Sequence, residues 1–178
     1  MANSKFCKFV LICLFFSGAH AVLGQTSPTA EQMIEQLKAP KTRGLRNLTV
    51  EPVPGKPALE AETVPAKPSL SLQIQFDFNS ARVRPESHQA LANLSQAMLS
   101  PELAKSRFAV EGHTDAKGGA EFNRKLSEQR ALAVRELLRI QGVSETRMLA
   151  SGKGFAELVN PGDPLAAENR RVRIVNLD

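Results

Sequence analysis

The sequence contains no tryptophan and no tyrosine, and only nine phenylalanines in 178 residues. Any core built from it must be aliphatic, with a few phenyl rings. Four of those rings, Phe6, Phe9, Phe15 and Phe16, sit near the N-terminus, which leaves five for the rest of the chain. Cysteine is scarcer still, with Cys7 and Cys13 as the whole complement. Histidine is limited to His20, His88 and His113. No paired-histidine motif, nucleophile elbow or phosphate-binding glycine loop is present. His113 and Asp115 lack an evident third metal ligand, so no metal, cofactor or catalytic residue is expected, and a metal-dependent hydrolase is the remote alternative.

What is present suits a folded protein: 42% apolar and 23% charged residues are ordinary globular values. The formal charge is +5, and it falls to +3 without Lys5 and Lys8. Such a mild basic bias is compatible with an anionic partner and far short of a nucleic-acid-binding tail.

Residues 1–21 read as an export signal. Lys5 and Lys8 precede the apolar run Phe9–Phe16, and Ala19 and Ala21 supply small residues for cleavage, which falls at Ala21 or as late as Gly24. The run is too short to span a bilayer, which takes about 20 apolar residues. Both cysteines lie inside this segment. Ile12 and Phe6 precede them, where a lipid-modified cysteine of a lipoprotein would follow a small residue. The mature chain therefore carries no disulfide framework and no thiolate site. No transmembrane segment is expected in it, and its location is the periplasm, free or outer-membrane-associated.

Residues 22–69 form a proline-rich linker, because Gln25–Ser69 holds seven of the eleven prolines. Proline at this density disfavours both helix and central strand. One part differs: Thr29-Ala-Glu-Gln32 has the capping-box pattern, and Met33, Ile34 and Leu37 share one helical face. A short amphipathic helix is expected over residues 30–39. It either packs on its own domain or, with residues up to 50, docks an envelope protein partner.

From Leu70 to Asp178 the pattern predicts one α+β domain of order β-α-β-α-β-loop-β, a small mixed sheet packed by helices. Strict alternation from Leu70 to Asn79 predicts a strand with Phe76 and Phe78 inward. Pro85 opens a helix that ends before Pro101, and Arg107–Gly112 is the second strand. A long helix runs from about Gly119 to Gln141, with Gly142 as its stop. Met148–Ser151 and Arg171–Leu177 complete the sheet.

The long helix repeats Phe122, Leu126, Arg130, Val134 and Leu138 at every fourth position, apolar except for Arg130. A guanidinium on an apolar stripe needs an acceptor, because an unpaired buried charge is costly. Asp115 lies in the turn before the helix. Spacing alone leaves two readings open, a structural bridge from Arg130 to an acid or a pocket holding one anion and one cation. The second fits a small zwitterion.

The run His113-Thr114-Asp115, Gly118, Phe122-Asn123, Leu126-Ser127, Arg130-Ala131 and Val134 resembles the signature of the OmpA C-terminal, peptidoglycan-binding domain family. Phe76-Asp77-Phe78, Gly152-Lys-Gly154 and Asn169-Arg170-Arg171-Val172 extend the likeness over roughly residues 70–178. The resemblance implies non-covalent binding of peptidoglycan of the diaminopimelate type, without catalysis, to anchor or tether in the bacterial envelope. It further implies that Asp115 holds the diaminopimelate ammonium and Arg130 its carboxylate. Asn123, Thr114, Gly118 and Phe76 complete that site. The alternative is a periplasmic scaffold of an envelope or motor complex, recruited through the N-terminal segment. Nucleic acid is not an expected partner.

Overall fold

The computed structural model describes residues 27–38 and 67–178. The export signal and most of the proline-rich linker lie outside the described residues. Seven main elements follow in order: α1 (Ala30–Leu37), β1 (Ser69–Leu72), α2 (His88–Leu99), β2 (Phe108–His113), α3 (Ala120–Ile140), β3 (Met148–Gly154) and β4 (Val172–Asn176). The sheet order is β1-β4-β2-β3. β2 and β3 run parallel across the α3 crossover, whereas β4 is antiparallel to both β1 and β2. This is the mixed, helix-packed sheet expected.

Local chemistry sets the element ends. Pro85 opens a 3-10 turn ahead of α2, and α2 stops two residues before Pro101. Gly142 takes φ +100°, a left-handed conformation that glycine adopts without a Cβ clash. Val143 N–H then reaches the Leu138 carbonyl at 3.0 Å and Gly142 N–H that of Arg139 at 3.0 Å, closing α3 in a Schellman cap. Arg147 serves the end of α2 from another element. Its guanidinium donates to the carbonyls of Met98, Leu103 and Ser106 at 3.0, 2.6 and 2.9 Å, and it also lies against the Phe108 ring.

The first strand departs from its sequence pattern. β1 ends at Leu72, and Phe76 pairs with Val83 only through an isolated bridge. Between them the chain turns: Asp77 N–H donates to the Arg82 carbonyl at 3.0 Å, and Asn79 takes φ +50°. Phe78, expected inward, is 97% exposed. Alternation of apolar and polar residues cannot distinguish a strand that continues from one that folds back into a turn.

α1 forms with both capping-box bonds in place, Gln32 N–H to Thr29 Oγ1 at 3.4 Å and Thr29 N–H to Gln32 Oε1 at 3.0 Å. Its apolar face is spent on the domain itself. Met33 and Leu37 are fully buried in the common core, and Asn176 Nδ2 donates to the Leu37 carbonyl at 2.8 Å. Asn93 Nδ2 holds the Pro28 carbonyl at 2.9 Å, just ahead of the helix. Within residues 30–38 the partner-docking expectation therefore loses the face it relied on; residues 39–50 lie outside the described residues. Leu37→Ala should destabilise the whole domain by about 2–5 kcal/mol, the usual cost of a cavity at a closed site. A lowered urea midpoint monitored on the sheet would show this, whereas an unchanged midpoint would mean that α1 is a separate appendage.

Candidate binding site

The site is assembled where β2 ends, α3 begins and the loop before β4 returns. α3 lies unusually close to the sheet, because Gly112 and Gly152, paired in register, present no side chains to it. Only small polar residues fit on the facing turns of the helix, so Asn123 and Ser127 are buried there while Phe122 is half exposed. The buried stripe is thus Asn123, Ser127, Arg130, Ala131, Val134 and Leu138, rotated at its start from the apolar stripe read in the sequence. Ser127 Oγ accepts Gly154 N–H at 2.9 Å and donates to the Arg124 carbonyl at 2.8 Å, which joins helix to β3.

Arg130 is 9% exposed and stands with its guanidinium over the Phe76 ring, 4.8 Å from the centroid. Its Nε donates to the Ser80 carbonyl at 3.1 Å. Among the described residues no carboxylate lies within ion-pairing distance of it. Burial pushes its pKa down, Arg170 adds to that, and Asp115 acts in the opposite sense. An arginine remains charged in spite of such shifts. Arg130 and Phe76 line a pocket of about 320 Å³ together with Gln73, Gln75, Arg84 and Arg170.

Asp115 does not bridge to Arg130. Its Oδ2 accepts from Arg170 Nη1 at 2.8 Å and its Oδ1 from Lys117 N–H at 3.1 Å. Asp115 therefore meets the pocket through Arg170, one of the pocket's lining residues. Asn123 braces the same turn by donating from Nδ2 to the Lys117 carbonyl at 2.9 Å, and Gly118 supplies the turn's left-handed residue at φ +96°. Thr114 is buried with its N–H on the Gly154 carbonyl at 2.9 Å, and its hydroxyl has no partner among the described residues. Of the six residues expected at the site, Phe76 and Arg130 line this pocket. Asp115 adjoins it, and Thr114, Gly118 and Asn123 shape the turn beside it.

Arg170 and Arg84 are the site residues that sequence reasoning passed over. Arg170 entered the sequence reading only within the Asn169-Arg170-Arg171-Val172 part of the family likeness, with no role at the site. Its position depends on Asn169, fully buried, which accepts Asn160 N–H at 2.9 Å and donates to the Asp163 carbonyl at 2.9 Å. The same loop reaches the Asp115 turn through Ala116 N–H on the Pro164 carbonyl at 3.0 Å.

His113 lies on the other face of β2. With Glu111 and Glu157 it places ligand-type atoms within 4.8 Å of one another, a grouping not apparent in the sequence. Both carboxylates already face cations, Glu111 with Lys153 at 3.3 Å and Glu157 with Arg173 at 3.4 Å. His113 is 2% exposed, and neither ring nitrogen has a partner among the described residues. Burial, then the charges of Arg171, Arg173 and Lys153, lower its pKa from 6.5 to about 4. The folded state thus resists a proton that the unfolded chain accepts. Stability from this group is complete above about pH 6.5 and is lost as pH falls towards 4, amounting to roughly 3 kcal/mol. Urea titrations of wild type and His113→Gln should diverge across that window, the variant losing less; parallel profiles would contradict the assignment.

Over residues 75–172 the sequence matches the OmpA family. The chain belongs to the OmpA family. The match begins after β1, so α1 lies outside it. The chain is 34% identical over 108 residues to the outer-membrane lipoprotein YfiB of Pseudomonas aeruginosa, covering 60% of this chain and 63% of that protein. It is 33% identical over 101 residues to the peptidoglycan-associated lipoprotein of the same organism, covering 56% and 58%. The matched part therefore spans less than two thirds of either relative. Among solved structures, the peptidoglycan-associated lipoprotein from Burkholderia pseudomallei aligns with a TM-score of 0.52 at 31% identity, over 60% of this chain and 88% of that one. These OmpA-family relatives are named as lipoproteins, and none of the three names gives a catalytic activity. No helix among the described residues is long and apolar enough to cross a membrane.

Proposed function

We propose that this OmpA-family domain binds peptidoglycan non-covalently through the diaminopimelate residue of the stem peptide, and so anchors or tethers in the bacterial envelope. One observation carries the reading: Arg130 is buried in a pocket wall without a carboxylate partner among the described residues. A guanidinium kept in that state is costly unless a ligand supplies the acceptor. Its Nε is occupied by Ser80 and its flat face rests on Phe76, so the two Nη groups remain for a carboxylate fork.

The diaminopimelate side chain ends in an ammonium and a carboxylate on one carbon. Arg130 would take the carboxylate. Asp115, already fixed by Arg170 and the Lys117 amide, would share its charge with the ammonium. Thr114, Gly118 and Asn123 would act by holding the Asp115 turn. A lipoprotein relative named as peptidoglycan-associated supports the same ligand class. An exported chain would meet this ligand in the periplasm. The purified protein should pellet with isolated diaminopimelate-type sacculi; failure to do so, with folding verified, would overturn the proposal.

A further inference from the structure

The pocket beside Arg130 carries more positive charge than a zwitterion needs. Three arginines, Arg84, Arg130 and Arg170, are among its lining residues, and no Asp or Glu is. Their partners differ. Arg170 is matched by Asp115 at 2.8 Å. Among the described residues Arg130 has only the Ser80 carbonyl. Arg84 contacts Glu86 at 3.3 Å, but both side chains are about half exposed, and such an ion pair is held weakly. After one ligand carboxylate is placed on Arg130, Arg84 still offers a loosely held cation to the same space.

We infer that the pocket accepts a second carboxylate at Arg84 and so selects stem peptides that end on the diaminopimelate residue itself. This rests on the peptidoglycan reading above. In such a peptide the residue has two free carboxylates, one on its side-chain terminus and one at its α-carbon. When a D-alanine follows, the α-carboxyl becomes an uncharged amide and the terminal charge moves outward by one residue, about 3.8 Å measured between α-carbons. The site then distinguishes trimmed from untrimmed stems by charge position. Trimmed stems are products of carboxypeptidase-type hydrolysis, so the reaction that supplies this ligand removes a C-terminal D-amino acid.

The arrangement assigns separate roles to the arginines. Arg130 binds any stem with the side-chain carboxylate, whereas Arg84 responds only to the second one. Arg84 is on the surface at the start of a 3-10 turn, and its backbone N–H is held by the Gln75 carbonyl at 2.9 Å, so changing its side chain leaves that bond intact.

Isothermal titration with two synthetic ligands tests this: L-Ala-γ-D-Glu-diaminopimelate, and the same peptide extended by D-alanine. The tripeptide should bind the wild-type protein about three- to fivefold more tightly, the range of a partly exposed charge pair. Arg84→Gln should remove that preference by weakening the tripeptide more than the tetrapeptide, and Arg84→Lys should retain most of the preference. Equal affinity of wild type for the two peptides, or an Arg84→Gln variant that weakens both alike, overturns the inference and leaves the site reading standing. If neither peptide binds wild-type protein, the site reading fails and the inference falls with it.

Discussion

Arg130→Ala should cut binding to diaminopimelate-type sacculi by about thirtyfold or more, the cost of removing one partner from a buried charge pair. The fold should survive the change. Alanine forfeits the bond to the Ser80 carbonyl and uncovers Phe76. It also removes a buried cation that no carboxylate among the described residues compensates. These effects oppose each other, so the melting temperature should shift by only a few degrees. Loss of binding without loss of fold is the signature of a ligand-holding residue. Arg130→Lys should fare little better, because an ammonium cannot hold Ser80 and present a flat fork at the same time. Asp115→Ala should also be severe. It removes the acceptor for an ammonium and leaves Arg170 unpaired in the pocket wall, where it repels Arg130. If Arg130→Ala pelleted like wild type, the pocket would have no part in wall binding.

Gly112→Ala and Gly152→Ala should be the most destructive single-methyl changes in the domain. A Cβ on Gly112 would stand 2.0 Å from the Ser127 carbonyl oxygen. One on Gly152 would stand 2.4 Å from the Glu128 nitrogen and 2.5 Å from the Arg124 oxygen. These are backbone atoms in the middle of α3, so no rotamer change relieves the overlap. The helix must lift off the sheet, breaking the bond from Ser127 to Gly154 and moving Arg130 away from Phe76. Overpacking ordinarily costs about 1–3 kcal/mol, and contact with rigid backbone puts these two at or beyond the upper end. Thermal unfolding followed by circular dichroism should show a fall of about 10 °C or more, or no folded protein. Gly119→Ala is the comparison: among the described residues nothing lies within 4 Å of its Cβ and φ is −77°, so its cost should be confined to the poorer N-cap of α3, about 1 kcal/mol or less. A mild effect at Gly112 would mean that helix and sheet sit further apart than described.

The two glycines also explain what the sequence disclosed. The helices were legible because Pro85, Pro101 and Gly142 mark their ends and the apolar spacing marks their faces. On α3, however, the first buried turns carry Asn123 and Ser127. Hydropathy points to Phe122 and Leu126 there, since the reason for small residues lies on another strand. The same blindness to distant partners hid Arg170. Its bond to Asp115 joins residues 55 apart in sequence and depends on the Asn169 loop. Arg130 and Asp115 were found individually, but their partners, the Ser80 carbonyl and Arg170, were not legible: charge spacing suggests which groups share a region, not which guanidinium reaches which carboxylate. Phe78 failed for a different reason, because a reversal after Phe76 keeps the alternation of a strand while turning the ring into solvent. In α1 the capping box and apolar face predicted the helix, and only the fold showed that the face belongs to the domain core.

The central claim is that the pocket recognises the carboxylate on the diaminopimelate side chain. It is tested most directly by one pelleting assay run side by side on diaminopimelate-type and lysine-type sacculi. The lysine side chain keeps an ammonium and lacks that carboxylate. The wild-type protein should pellet with the first wall and largely stay in solution with the second, and Arg130→Ala should abolish the difference. Equal pelleting of wild-type protein with both walls would contradict the account.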